Sequence, residues 1–408
     1  MSAASAEHTR HDTALLLRLL KPNGSADPAL PQDAHWDWRN FARACDYHQV
    51  ASFIYCRLRS LPGTTVPPGL LEHLRVRFLE VSGRNYHLAQ KLVDLTTLLE
   101  QHQIPVLSYK GPTLAMAAYG DLALRSYQDL DLVIQPEHLL KAAGLMTRCG
   151  FEIAPESWNP CQPENLRYVE HFHEIMLRAP DKSFFVDLHW QLAPDQARAF
   201  RLDVGAVWGR AEKTELLQTR VSTLSREDLF LALCCHGAVH RWARFKWLLD
   251  IAELLRKNRT LSWSRVEEIT RNRPLARTSA SLAVLLARDL LEIDVSAEAA
   301  PILPATERTR RVAAAICDEI MSPEGTIENY YTTLLALEGN PLAWTKYFCI
   351  QYPGWWFNQV FVQVSPKERA LVPLPERLQF LYHFIRPVRL ALKHSRRAAR
   401  ALWPMTVF

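Results

Sequence analysis

Hydrophobic positions change their period along the chain, and the changes divide it. From Trp36 to about Gln103 apolar residues recur at three- and four-residue steps, as in Leu71, Leu74, Phe78 and Val81 and again in Leu88, Leu92, Leu95 and Leu99. That spacing predicts amphipathic helices. A polar segment, residues 1–34, precedes them and carries one short helix at Thr13–Leu17. Between 104 and 200 the apolar runs shorten and alternate with chain breakers. Val106–Tyr109 and Leu130–Ile134 read as strands. Thr113–Tyr119 reads as a helix entered through Pro112, and Pro136–Cys149 as an amphipathic helix stopped at Gly150. Phe172–Arg178 and Phe184–Leu192 read as strands joined by a hairpin turn at Pro180-Asp181-Lys182-Ser183. From Ser225 the helical period returns. Ser225-Arg226-Glu227-Asp228 is a capped start, Leu229–Leu255 reads as one long helix, and Leu282–Leu291 as another. The pattern predicts an α+β protein. A small mixed β-sheet core (104–200) is embedded in α-helical regions (35–103 and 201–345), with a distinct C-terminal region at 346–408.

Composition narrows the class. The chain has 408 residues, 48% hydrophobic and 22% charged, enough for two or three packed units. A formal charge of +5 suits phosphate-bearing substrates. No concentrated basic and aromatic stripe flanks the core, so nucleic acid is not the expected partner. Eight cysteines without a C-x-x-C pair, two of them adjacent at Cys234-Cys235, read as reduced and buried, which fits a cytoplasmic protein. No run reaches the roughly 18 to 20 apolar residues of a membrane span. In the C-terminal region, Tyr347–Pro366 is uncharged and aromatic, with Trp355-Trp356-Phe357 at its centre. It is followed by Phe380, Leu381, Phe384, Ile385, Val388 and Leu392 interleaved with Arg386, Arg389, Lys393, Arg396, Arg397 and Arg400. Two readings stay open there: core packing, or a basic amphipathic surface that contacts a membrane periphery or a protein partner.

The candidate chemistry centres on acids. Asp129 and Asp131 alternate with leucines, so both project from one strand face. Two carboxylates on one face repel each other unless a cation sits between them, and Mg²⁺ is the hard cation that oxygen ligands and phosphates share. The plain alternative is a pair of solvated acids at a sheet edge. Upstream, Lys110-Gly111 stands at a strand-to-helix turn, which offers a cation and free backbone N–H groups to a triphosphate. Pro112 removes one such donor and Thr113 offers a hydroxyl. Arg125 either clamps phosphate, neutralises the acid pair, or forms a structural salt bridge to one of those aspartates. His189 follows Asp187 by two and shares its strand face. It either touches nucleotide or acceptor, or is structural. His171 and His173 precede the hairpin and face Asp187 across it. His236 and His240 have the i, i+4 spacing of a zinc pair but no third ligand in the sequence, so a helix face covering the cleft is the preferred reading. Lys246 and Asp250 share that spacing as an ion pair.

Four pieces in this order carry a resemblance: Ile104-Pro105, Lys110-Gly111, Arg125 with Asp129-Leu130-Asp131-Leu132, and Asp187-Leu188-His189-Trp190. The chain resembles the uncharacterised bacterial nucleotidyltransferase family of the DNA polymerase β-like nucleotidyltransferase superfamily. Weaker matches at Trp36-Asp37-Trp38 and from Leu233 to Trp242 extend the resemblance over most of the chain. It implies a Mg²⁺- or Mn²⁺-dependent enzyme that moves NMP from an NTP to an acceptor hydroxyl or phosphate. Asp129, Asp131 and Asp187 would be the catalytic metal ligands, with Asp187 standing where the family often has Glu and taking the acceptor's proton. Lys110, Gly111, Thr113, Arg125 and His189 would bind the nucleotide. The acceptor stays open among a small molecule, a sugar or lipid phosphate, a peptide and a protein side chain. Two rivals accompany this expectation: a catalytically inactive nucleotide-binding or assembly protein, and a toxin-like nucleotidylating enzyme.

Overall fold

The computed structural model describes residues 3–21, 36–61, 66–154, 173–192, 202–257, 261–321, 337 and scattered positions from 372 to 389. Residues 1–153 and 159–338 form one compact unit, and 154–158 with 339–408 a second. In the second, Tyr382 Oη donates to the Val372 carbonyl at 2.8 Å and accepts from Leu374 N at 3.0 Å. The predicted aromatic run Tyr347–Pro366 and most of the basic amphipathic segment lie outside the described residues.

In the first unit α1 spans Ala3–Leu20, so the short helix expected at 13–17 extends in both directions. Leu15, Leu16, Leu19 and Leu20 line its buried face. α2 (Trp38–Tyr47) is capped by Asp37, whose carboxylate accepts from Arg39 N at 3.1 Å. α3 (Ala51–Ser60) follows, then the 34-residue α4 (Pro68–Gln101). The predicted stripe of Leu74, Val81, Leu88, Leu92, Leu95 and Leu99 is buried. Asn85 interrupts it and is fully buried, with its amide donating to the Arg125 carbonyl at 2.7 Å. Nearby, Arg84 Nε donates to the Tyr127 carbonyl at 2.9 Å. α4 thereby fixes the loop that delivers Asp129, a polar device inside an apolar stripe.

The sheet follows. β1 (Leu107–Ser108) leads into α5 (Gly111–Leu114), which runs on as a π-helical turn over Ala115–Tyr119. β2 is Asp129–Val133. A 3₁₀ turn at Pro136–His138 opens α6 (Leu139–Arg148), which stops before Gly150 as predicted. β3 (Glu152–Ile153), β4 (Glu174–Arg178) and β5 (Phe185–His189) come next, and Lys182 takes φ +61° in the β4–β5 turn. α7 is Val204–Gly209.

A second hairpin, β6 (Glu212–Leu216) and β7 (Thr219–Thr223), was not expected from the sequence. Its two-residue turn, Leu217-Gln218, has φ +48° and +65°, the signs of a type I′ turn, without the Asn-Gly pair that usually announces one. β7 runs parallel to β1, and Thr223 Oγ1 donates to the Ser108 carbonyl at 2.8 Å. The seven strands lie in the order β3-β4-β5-β2-β1-β7-β6, with β2 parallel to β5 and antiparallel to β1. The α+β expectation holds, with a mixed sheet wider than the 104–200 segment supplies.

The single helix expected over Leu229–Leu255 is two: α8 (Arg226–Val239) and α9 (Phe245–Lys257). Arg241 and Trp242 adopt φ +52° and +51°, which reverses the chain. The fully buried Trp242 ring folds back onto Gly237, where an added Cβ would sit 2.3 Å from a ring carbon. The apolar period continued through the corner because Trp242 and Phe245 are buried on both sides of it. α8 begins as predicted, with Ser225 Oγ accepting from Asp228 N at 3.2 Å. α10 (Trp263–Thr270), α11 (Pro274–Leu291), α12 (Ala299–Ile302) and α13 (Glu307–Met321) complete the unit. Leu282, Leu286 and Ile316 join α8 and α9 in one core with α1 and α3. Among the described residues no helix is long and apolar enough to cross a membrane. Among them too, six cysteines are free and none is disulfide-bonded.

Candidate active site

Strand register brings the acids together. In the parallel pair β2–β5, Asp131 stands opposite Asp187 and Val133 opposite His189. Because side chains two apart share a face, Asp129 and Asp131 on β2 and Asp187 and His189 on β5 point into one cleft. On the far side of β5, the antiparallel β4 sets Glu174 opposite His189. Ligand atoms of Asp131, Asp187 and His189 all lie within 4.8 Å of one another, a grouping able to hold a metal ion.

Two cations converge on Asp131, which is 7% exposed. Lys110 Nζ donates to its Oδ1 at 3.2 Å, and His189 Nε2 lies 3.1 Å from the same oxygen. The other nitrogen of His189, Nδ1, is 3.0 Å from Glu174 Oε2, and His173 Nε2 is 3.3 Å from that oxygen. A chain of contacts thus runs His173, Glu174, His189, Asp131. His173 was expected to face Asp187 and meets Glu174 instead; His171 lies outside the described residues. Glu174 was not singled out in the sequence, since its role depends on a cross-strand pairing that no spacing reveals.

The four acids titrate differently because their surroundings differ. Burial opposes ionisation of Asp131, but Lys110 and His189 override it and hold the carboxyl well below its usual range. Burial likewise opposes Glu174, and His189 and His173 draw it down. Asp129 is raised by burial and by the charge of Asp131. Asp187 is raised to about 7: burial dominates, His189 opposes it, and the charges of Asp131, Glu174 and Asp129 add to the rise. His189 is raised to about 10, since Glu174 and Asp131 overcome its burial, so the ring is an imidazolium. Among the described residues no cation forms an ion pair with Asp129 or Asp187. Two clustered carboxylates that lack a cation, beside a third, are the donor set a hard divalent ion needs. The grouping able to hold such an ion is Asp131, Asp187 and His189, the last on losing a proton, and the expected ligand Asp129 is not part of it.

The Lys110-Gly111 turn sits at the mouth of this cleft. Gly111 has φ +50°, in the left-handed region, while its missing Cβ would meet nothing closer than 3.6 Å, so the backbone conformation is what calls for glycine. Thr113 corrects an expectation. Its Oγ1 is buried, 2.8 Å from Ser108 Oγ, and donates to the Lys110 carbonyl at 3.0 Å. The hydroxyl closes the turn.

Arg125 also departs from the reading of its spacing. Its Nε and Nη2 donate to Asp250 Oδ1 and Oδ2 at 2.8 and 3.0 Å, a bidentate pair with both residues buried. Tyr119 Oη donates to Asp250 Oδ1 at 2.8 Å. The partner of Arg125 is therefore an acid of α9, neither Asp129 nor Asp131, and the predicted Lys246–Asp250 pair does not form. Lys246 Nζ instead donates to Gln49 Oε1 and to the Ser126 carbonyl.

His236 and His240 pack against Trp247, His236 edge-on at a ring-centroid distance of 5.5 Å and His240 tilted at 4.9 Å, with the two histidine centroids 4.5 Å apart. Burial, then the charge of Lys110, lowers both, His240 to about 4. Among the described residues they belong to no three-ligand metal grouping.

No curated protein compared with the chain is similar to it. Among solved structures, the solution structure of antibiotic-resistance factor ANT(2'')-Ia is 13% identical and covers 46% of this chain and 91% of its own, with a TM-score of 0.33. An antigenic nucleotidyltransferase-like protein from Paracoccidioides brasiliensis is 16% identical, covering 54% and 95%, with a TM-score of 0.28. A family model described as uncharacterised nucleotidyltransferase matches residues 34–292, which spans α2 through α11 and every acid, lysine and histidine of the cleft. The chain belongs to this nucleotidyltransferase family.

Proposed function

We propose that the protein is a Mg²⁺-dependent nucleotidyltransferase in which an acceptor hydroxyl or phosphate oxygen attacks the α-phosphorus of an NTP, the α–β phosphoanhydride bond breaks, and pyrophosphate leaves. The observation that carries this reading is the register of Asp131 against Asp187, with Lys110 bonded to Asp131. Asp129, Asp131 and Asp187 would hold the metal, which when bound supplies charge neutralisation for the phosphates and the attacking oxygen. The residues' own contributions follow from their contacts. Lys110 and the backbone of the Gly111 turn bind the phosphates, and Lys110 exchanges its Asp131 contact for a phosphate oxygen. His189, anchored by Glu174, orients Asp131. Asp187, as a carboxylate, accepts the proton of the acceptor group. Positioning and charge complementarity account for the rate enhancement, as in other phosphoryl-type transfers. Arg125 acts through Asp250 to hold α9 against the loop before β2, so it positions and does not touch nucleotide.

The test is transfer of label. Wild type is incubated with each α-³²P NTP, Mg²⁺ and separate pools of sugar phosphates, lipid phosphates, peptides and small metabolites. A labelled product from one pool, absent with Asp187→Asn, is expected. An NTP-binding protein that labels no pool would count against transfer and favour the catalytically inactive alternative.

A further inference from the structure

Among the described residues around the cleft most cations pair with a carboxylate; Arg84, which donates to the Tyr127 carbonyl and Ser126 Oγ, and Lys246 do not. Lys110 pairs with Asp131, Arg125 with Asp250, and His189 with Asp131 and Glu174. Lys246, in the first turn of α9, is partly buried, and its Nζ donates only to neutral acceptors. These are Gln49 Oε1, from the corner between α2 and α3, and the Ser126 carbonyl at 3.3 Å, three residues before Asp129. Among the described residues no carboxylate forms an ion pair with it. A desolvated ammonium held by neutral oxygens is unfavourable by itself. Burial, then Arg125, lowers its pKa to about 8 despite Asp250 and Asp129, with Arg244 adding to the depression. The two carboxylates are near enough to be felt, but Asp250 is bonded to Arg125 and neither forms an ion pair with Lys246.

Three elements hold this ammonium at one place. α9 carries it, the Gln49 corner grips it with Gln49 itself in a left-handed conformation at φ +58°, and the loop before β2 anchors it to the strand that bears Asp129. Its contact with the Ser126 carbonyl places the ammonium on the loop that leads into β2 and its acids. A cation fixed without an ion-pair partner among the described residues, on the loop three residues before Asp129, is complementary to a polyanion. We propose that Lys246 is a second phosphate-binding residue of this site, supplied by α9, which grips the polyphosphate end of the nucleotide donor together with Lys110. The inference rests on the nucleotidyltransferase reading and assigns a function to a residue that sequence spacing pairs with Asp250.

The test is isothermal titration of the full chain with inorganic tripolyphosphate, the four NTPs and the four NMPs, each with Mg²⁺. The proteins are wild type, Lys246→Met, Lys246→Arg and Gln49→Ala. Lys246→Met is expected to weaken tripolyphosphate and NTP binding at least about tenfold, the loss of one charge-assisted contact, with NMP binding unchanged. Lys246→Arg should retain most of the affinity. Gln49→Ala removes the same structural bridge but keeps the charge, and should stay within about twofold of wild type. A pH series adds a readout that a structural lysine would not move. Tripolyphosphate affinity of wild type should fall above about pH 8, by up to about tenfold per pH unit, and more steeply than that of Lys246→Arg. Wild type that binds tripolyphosphate while Lys246→Met binds it equally would overturn this inference alone. So would Gln49→Ala losing as much as Lys246→Met, or a loss confined to NMP, which would point to the acceptor's phosphate. Wild type that binds no NTP and no tripolyphosphate would overturn the nucleotidyltransferase reading together with this inference.

Discussion

Asp187→Asn should stabilise the metal-free protein at pH 8. In the folded state burial and the charges of Asp131 and Glu174 raise Asp187 from an ordinary 3.8 to about 7. A group so raised binds its proton more tightly when folded. Its contribution to stability is full at low pH and is lost as pH rises from about 4 through about 7. At 1.36 kcal/mol per pKa unit, the ionised carboxylate at pH 8 costs the fold roughly 4 kcal/mol. Asparagine removes the charge but keeps a polar group to desolvate, so roughly 2–4 kcal/mol should be recovered. For a chain of 408 residues, 1 kcal/mol corresponds to roughly 1–2 °C in Tm, which predicts a rise of roughly 2–8 °C. The assay is differential scanning calorimetry in EDTA at pH 8 and pH 4, for wild type and the variant. The gain should be present at pH 8 and nearly absent at pH 4, where wild-type Asp187 is protonated. Adding Mg²⁺ and NTP should reverse the ranking, since only wild type keeps the third carboxylate. Equal midpoints at pH 8 in EDTA, or a destabilised variant there, would refute the account of crowded, unneutralised acids.

Asp250→Asn leaves the buried Arg125 guanidinium without its counter-charge and should destabilise by about 3–5 kcal/mol in urea denaturation. The double variant Arg125→Met/Asp250→Leu should recover most of that, and no recovery would contradict the pairing. Gly237→Ala drives a methyl into the Trp242 ring, with a 2.3 Å approach that the buried indole has no space to relieve. It should cost about 1–3 kcal/mol or more and blue-shift tryptophan fluorescence less completely on folding. An unchanged denaturation midpoint would mean the α8–α9 corner is looser than the packing indicates.

The cleft was legible in the sequence where its chemistry is local. Asp129 and Asp131 declared a common face by their i, i+2 spacing, and Lys110-Gly111 declared a turn by its glycine. Asp187 and His189 did the same on a strand bounded by a hairpin. What spacing cannot convey is which strand lies beside which, and so Glu174, opposite His189 only through β4–β5 register, went unseen. Long-range ion pairing was hidden for the same reason. Arg125 and Asp250 are 125 residues apart in the chain, and the nearer acids looked like the better partners. The β6–β7 hairpin escaped because Leu217-Gln218 adopts positive φ without the residues that prefer it, tertiary pairing with β1 overriding local preference. The α8–α9 corner escaped because a buried tryptophan continues an apolar period as well as a helix does. Thr113 shows the converse, a hydroxyl rightly placed at the turn but engaged inside it.

The central claim is that Asp129, Asp131 and Asp187 bind NTP through a divalent cation. Its most direct test is a thermal-shift panel of the four NTPs, with Mg²⁺ and with EDTA, on wild type and Asp131→Asn. The account predicts a rise in midpoint with at least one NTP that requires Mg²⁺ and disappears in Asp131→Asn. A folded wild type whose midpoint no NTP moves, or an NTP-induced rise equal in EDTA and in Asp131→Asn, would contradict it.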